Sequence, residues 1–401
     1  MTFSLNQYEP LTTETAIQLV SRLDILDKNS SLISEEVGDG NLNLVFRVID
    51  PKSQKSVIVK QALPYAKVVG ESWPLTLNRA TIESNALLQY ADIAGEYVPK
   101  VYYSDRKLAV TIMEDLSDLD VLRKGLMEEK DYPLLSKHIG EFVARTLFFT
   151  SDFALSPSRK KELAKQYYNP ELCKITEDLV FTDPFFNHET NHYEKELQDD
   201  VERLWNDQNL KLEVAKLKKK FITNQDALIH GDLHTGSIFV SKTETKVIDP
   251  EFAFYGPLGF DLGQFIANLL LNALSRKDEK RDSLFEHIEN TWTTFSSTFT
   301  SLWNDHNVEA FANVDGYLEQ VLQDTLEDTI GFAGCEIIRR TIGLAHVADL
   351  DGIEPYESRI TAKKNSLKLG AFLIKNKRNI HSITEIKNIF NHLARTKETS
   401  R

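Results

Sequence analysis

The sequence predicts an α+β protein of two lobes, a small β-rich one over residues 1–115 and a large helical one over residues 116–401. Short runs rich in β-branched and aromatic residues alternate with polar turns as far as Met113, and long amphipathic segments fill the remainder. A chain of 401 residues is also long enough to bury two cores.

Residues 44–49 and 56–61 read as strands joined by the polar turn Asp50-Pro51-Lys52-Ser53-Gln54-Lys55. Over residues 76–90 the spacing switches to a helix, with Ile82, Ala86, Leu87 and Tyr90 on one stripe. Residues 101–103 and 108–113 return to strand. Residues 134–149, 260–273, 317–347 and 361–374 then read as amphipathic helices. Between them, residues 238–241 and 246–248 form a strand, turn, strand pattern.

Composition narrows the function classes. A formal net charge of −13 argues against a general nucleic-acid or anionic-membrane surface, so any anionic ligand must be met by particular Lys and Arg positions. The basic cluster at Lys216, Lys218, Lys219 and Lys220 reads as a solvated helix face. Two distant cysteines, Cys173 and Cys335, argue on spacing against a disulfide framework or zinc site and fit a reducing cytoplasm. The first ten residues lack a basic segment and apolar core, so no signal peptide is expected. The apolar run over 265–271 is too short to span a bilayer.

The chemistry is concentrated in His230-Gly231-Asp232-Leu233-His234-Thr235-Gly236-Ser237 and, after the strand pair, Asp249-Pro250-Glu251. Either piece alone is an ordinary turn. Together they place one acid on a tight loop and two more after the next strand, which is how a phosphoryl-transfer site is laid out. A hairpin between the two would bring Asp232 and Asp249 to the same end. In an extended segment Asp249 and Glu251, at i and i+2, would face one side and suit Mg²⁺ between them. In the small lobe, Gly38, Gly40 and Asn43 belong to a Gly-rich turn whose backbone could approach phosphates. Lys60 ends the following strand and Glu83 is its candidate helix partner. Glu114, Asp115 and Leu116 lie where strand gives way to helix, the expected adenine-reading hinge.

The order Gly-rich loop, strand Lys, helix Glu, hinge, His-Gly-Asp loop and Asp-x-Glu resembles the aminoglycoside phosphotransferase and choline kinase-like superfamily, with its two-lobed protein kinase-like fold. Within it the chain is most similar to the methylthioribose kinases. That similarity is sharpest at Gly70-Glu71-Ser72-Trp73-Pro74, at His230 to Ser237, at Asp249 to Pro257 with Gly259 to Gly263, and at Glu336-Ile337-Ile338-Arg339-Arg340. Two departures from the broader superfamily mark the same group: Ser237 where an Asn usually supplies a second metal ligand, and Pro250-Glu251 after Asp249, which adds a carboxylate.

The resemblance implies ATP- and Mg²⁺-dependent phosphorylation of the anomeric hydroxyl of 5-methylthioribose in methionine salvage, by a cytoplasmic homodimer. Asp232 would be the catalytic acid that orients the hydroxyl, and Arg339 and Arg340 would lie near substrate. Neighbouring helix positions point about 100° apart, so at most one of the two is expected to face the site squarely. Gly38, Gly40, Asn43, Lys60, Glu114, Asp115, Leu116, Asp249, Pro250 and Glu251 would meet ATP, and Asp249, Glu251 and Ser237 the metal. His230, His234 and Glu83 would support, with Asp261 holding the catalytic loop through backbone N–H groups. Another alcohol kinase of the superfamily, acting on choline, homoserine or an aminosugar, is the alternative. A non-catalytic ATP-binding scaffold would be expected to lack Lys60, Asp232 or Asp249, and all three are present.

Overall fold

A computed structural model describes residues 7–27, 30–38, 42–66, 70–277 and 280–395. The chain divides into two compact units, Met1–Asp120 with Lys246–Ala253, and Val121–Thr245 with Phe254–Arg401. The division therefore falls at Asp120, not between residues 115 and 116, and the segment carrying Asp249 and Glu251 groups with the first unit instead of the large lobe. Linear order is silent on such a return of the chain. The turn Pro250–Phe252 packs on a helix of the first unit, and that tertiary contact decides the grouping.

The first unit runs α1 (Thr13–Arg22), β1 (Ile33–Glu36), β2 (Asn43–Ile49), β3 (Ser56–Ala62), β4 (Tyr65–Ala66), β5 (Gly70–Pro74), α2 (Asn78–Ala94), β6 (Val101–Asp105) and β7 (Val110–Glu114). Thr12 caps α1 through a reciprocal bond with Thr15, satisfying two N-terminal donors. The sheet order is β1-β2-β3-β7-β6, with every neighbouring pair antiparallel. Phe46, Val48, Val57, Val59 and Ile112 bury one face against Ala16, Leu19 and Val20 of α1. Side chains alternate along a strand, so Lys60, one position after Val59, projects from the opposite face. On α2 the stripe Ile82, Ala86, Leu87 and Tyr90 is fully buried, as its spacing predicts.

β8 (Asp120–Val121) lies at the division. The second unit is built from α3 (Leu122–Met127), α4 (Leu135–Thr150), α5 (Pro157–Gln166), α6 (Pro170–Leu179), α7 (Gln198–Asn206), α8 (Gln208–Thr223), β9 (Ala227–Ile229) and β10 (Ile238–Val240). After β11 (Thr245–Val247), which also meets the division, come β12 (Phe254–Gly256), α9 (Phe260–Ser275), α10 (Asp282–His306), α11 (Tyr317–Ile342), α12 (Ala348–Asp351), α13 (Tyr356–Asn376) and α14 (Glu385–Arg395). The Ser241 N–H donates to Glu244 O, closing the polar turn after β10.

Helices α9 and α11 pack closely because Gly263 leaves no side chain between them; a Cβ there would sit 2.8 Å from the Thr329 carbonyl. Residues 260–274 of α9 and 325–342 of α11 are almost wholly buried, so any charge on them needs an internal partner. The helix expected over 317–347 stops at Ile342. Gly343 turns to extended backbone and its N–H still bonds the Arg339 carbonyl, so the chain leaves the helix there. On α8, Lys216 pairs with Glu213, Lys218 donates to Thr182 and Lys220 pairs with Asp328. Among the described residues no helix is long and apolar enough to cross a membrane.

Candidate active site

In the second unit, β9 pairs antiparallel with β12 and delivers the chain into the loop from His230 to Ser237. Gly231 adopts φ +82°, a conformation that costs a residue with a side chain, and this turns the loop back sharply. Asp261, in the first turn of α9, accepts the N–H of His230 at 2.7 Å and of Gly231 at 3.0 Å. These two bonds tie the loop to α9. The Gln264 side-chain oxygen accepts the Leu233 N–H at 2.9 Å, and His230 Nδ1 accepts the Asp232 N–H at 3.2 Å. Ser237 Oγ donates to the Asp232 carbonyl at 3.1 Å. These bonds fix the loop backbone, and Asp232 rides on it.

Asp232 faces three cationic or donor groups. His234 Nε2 lies 3.4 Å from one carboxylate oxygen, and Arg339 Nη2 and Arg340 Nη2 lie 3.5 and 3.9 Å from the other. His234 Nδ1 accepts the Gly236 N–H at 2.9 Å, so its ring proton is on Nε2, directed at Asp232. Burial works against ionisation of Asp232, but His234 and the two arginines outweigh it and hold the carboxyl below the usual carboxylate range. Burial dominates at His234 and lowers its pKa, against the opposing pull of Asp232.

Both arginines turn toward Asp232, where helical geometry alone predicts one. The reason is Glu336, fully buried one turn back on α11. It takes Arg339 Nε at 2.5 Å and Arg340 Nε at 2.7 Å, and so gathers the i+3 and i+4 side chains onto one face. Burial opposes the Glu336 charge, but the two guanidinium groups more than offset it and bring the pKa down to about 2. A third arginine stands beside the loop. Arg123 of α3 donates from Nε to Thr235 Oγ1 at 3.2 Å and from Nη2 to Asn268 Oδ1 at 2.9 Å, with Asp349 Oδ2 3.5 Å from Nε. Burial and then Arg340 lower its pKa to about 10, against the pull of Asp349, Glu336 and Asp232.

The first unit carries a separate set. Lys60 Nζ bonds Glu83 at 2.7 Å and Asp249 at 2.5 Å, so the expected strand-Lys to helix-Glu pair is formed. Burial disfavours the ammonium, but Asp249, Glu83 and Glu251 outweigh it and raise the pKa of Lys60. Asp249 sits at φ +63°, a left-handed conformation costing of order 1 kcal/mol or more for a residue other than Gly. Pro250–Phe252 follows as a 3₁₀ turn. The segment is therefore not extended, and the i, i+2 argument for two acids on one side does not apply. The Asp249 side chain is 44% exposed with one oxygen on Lys60, which fits a hard cation beside phosphates. Glu251 is instead buried against Arg79 Nη1 at 2.7 Å. Asn43 is engaged in the same place: its amide donates to Glu251 at 3.3 Å and its oxygen accepts from Arg79. Pro250 is buried in the turn.

At the expected hinge, Asp115 accepts from Arg47 at 2.6 Å, Ser56 at 2.5 Å and the Ser117 N–H at 2.9 Å, so its side chain braces the strand ends. Glu114 accepts from the Lys100 N–H at 3.0 Å, and Leu116 is buried. Gly38 has open space around it, while Gly40 lies outside the described residues.

Residues 34–291 match the phosphotransferase enzyme family. The methylthioribose kinase of Geobacillus sp. (strain WCH70) is 64% identical over 383 residues, 96% of each chain. That of Geobacillus kaustophilus (strain HTA426) is 61% identical over 389 residues, 97% of this chain and 98% of the relative. That of Bacillus cereus (strain 03BB102) is 60% identical over 368 residues, 92% and 93% of the two chains. The chain belongs to the methylthioribose kinase family.

Four residues of this kinase that shape its two sets escaped the sequence reading: Arg79, Arg123, Gln264 and Glu336 in its supporting role. Glu336 carries the one usable signal, an acid three and four residues before two arginines on an otherwise apolar helix. Arg79, Arg123 and Gln264 act on residues far along the chain, and nothing local marks them.

Proposed function

We propose that the chain transfers the γ-phosphoryl group of Mg·ATP to the anomeric hydroxyl of 5-methylthioribose, giving 5-methylthioribose 1-phosphate and ADP. The observation that carries the reading is the Asp232 carboxylate, held on a rigid loop and faced by Arg339, Arg340 and His234. A carboxyl held that low is a weak base. It orients the hydroxyl and takes its proton as the oxygen–phosphorus bond forms, which suits a loose transition state in which proton transfer is late. The bond from the γ-phosphorus to its bridging oxygen breaks, and the electron pair leaves with ADP. Arg339 and Arg340 are charge-matched to the phosphoryl oxygens, and their orientation is set in advance by Glu336.

In the first unit, Lys60, oriented by Glu83, is suited to the nucleotide phosphates, and Asp249 is the carboxylate fitted to Mg²⁺. Bound Mg²⁺ would neutralise developing charge on the phosphates. Glu251 and Ser237 stay the further metal candidates and Asn43 a nucleotide contact, with Arg79 fixing Glu251 and Asn43 and the loop backbone fixing Ser237. The reading extends to a cytoplasmic homodimer; two unpaired cysteines support a reducing compartment, and sedimentation tests the dimer. The decisive experiment is ADP release with Mg·ATP against methylthioribose, ribose, choline, homoserine and an aminoglycoside. Turnover confined to methylthioribose is expected. Preference for another alcohol would overturn the substrate.

A further inference from the structure

Helix α2 presents two charges of opposite sign one turn apart. Glu83 reaches Lys60, and Arg79, four residues earlier and so on the same side of the helix, reaches Glu251. Arg79 is 0% exposed, an extreme for this residue type. Its Nη1 donates to Glu251 at 2.7 Å and to Asn43, and its Nη2 donates to the carbonyls of Leu42 at 2.7 Å and Leu63 at 3.0 Å. One guanidinium thus joins four points: Leu42 just before β2, Asn43 at its first position, Leu63 just after β3, and the turn that follows Asp249. An aliphatic side chain would break the ion pair with buried Glu251, and a lysine has no planar fork with which to reach all four.

The turn it holds is the one that needs holding. Asp249 is in the left-handed region, and such a conformation persists only where its surroundings over-determine it. On one side Asp249 itself is drawn by Lys60, and two residues on Glu251 is drawn by Arg79. The two attachments both originate on α2, directly at Arg79 and by way of Lys60 at Glu83. Displacing either loosens the placement of the one half-exposed carboxylate of the set.

We infer that Arg79 is a positioning residue for the metal carboxylate: with the Glu83–Lys60 pair it forms a two-point clamp through which α2 sets Asp249. The inference rests on the proposed Mg·ATP role of the first unit. Its test is the Mg²⁺ concentration giving half-maximal binding of a fluorescent ATP analogue, measured with purified full-length protein alongside the melting temperature. Wild type is expected to bind the analogue in a Mg²⁺-dependent manner. Arg79→Lys, which keeps a cation but not the fork, should raise the half-saturating Mg²⁺ at least fivefold. It should leave the KM for methylthioribose within twofold, because the acceptor residues belong to the other unit. Glu83→Gln, at the other point of the clamp, should raise the half-saturating Mg²⁺ as well. Unchanged Mg²⁺ dependence in Arg79→Lys, whatever its melting temperature, would reduce Arg79 to packing and end the inference. Mg²⁺-independent binding by wild type would instead overturn the Mg·ATP reading on which it stands.

Discussion

Replacing Glu336 by Gln isolates the one buried carboxylate on which the acceptor-side arginines depend. Glu336 is fully buried and receives both Nε atoms, so the amide keeps its shape and removes its charge. Its pKa falls from 4.5 to about 2, which at about 1.4 kcal/mol per pK unit corresponds to about 3 kcal/mol. Breaking a buried ion pair by removing one partner costs ~3–5 kcal/mol, which agrees. For a unit of this size that lowers the melting temperature by about 6–20 °C. The lowered pKa makes the stabilisation fully present above about pH 4.5 and lost as pH falls toward about 2, so the gap between wild type and variant should close over that window and nowhere higher. With Arg339 and Arg340 released, kcat should fall about 100-fold, the scale of a misplacement near 1 Å. Calorimetry from pH 2.5 to 8 and steady-state kinetics at pH 7.5 are the assays. A loss under about 1 kcal/mol with kcat within twofold would refute the assignment of Glu336 as their organiser.

Asp232→Asn should lower kcat by about 10³-fold or more while leaving ATP-analogue binding within twofold, and appreciable turnover would remove Asp232 from the centre of the mechanism. Because His234 and the arginines hold Asp232 below the usual carboxylate range, any acidic limb of the kcat/KM profile above about pH 5 must belong to another group. Arg123→Met should raise the KM for methylthioribose about tenfold through the loss of its contacts with Thr235 and Asn268, and an unchanged KM with a lower melting temperature would make Arg123 purely structural.

Local chemistry is legible along the chain, although the helix expected over 317–347 ends early at Ile342. The stripe on α2 and the strands expected over 56–61 and 108–113 follow from residue spacing, with β3 running on to Ala62 and β7 starting at Val110 and ending at Glu114. The pairing of Lys60 with Glu83 was legible because strand Lys and helix Glu recur in a known order. What failed was geometry inferred from short separations. The i, i+2 reading of Asp249 and Glu251 assumed an extended chain, and the left-handed Asp249 with its 3₁₀ turn removes that assumption. The 100° argument for Arg339 and Arg340 counted backbone angles and neglected two long side chains converging on one buried acid.

By itself, then, the sequence determined the elements, the acids and bases available and the family, since propensity, periodicity and motif order are written along the chain. Tertiary structure alone decided which charges meet. Asp249 and Glu251 join the first unit, Arg79 takes Glu251 from 172 positions away, and Arg123 reaches Thr235 across 112. A charge withdrawn from water is stable only beside its counterion, and the fold, not the neighbouring residues in sequence, supplies that counterion.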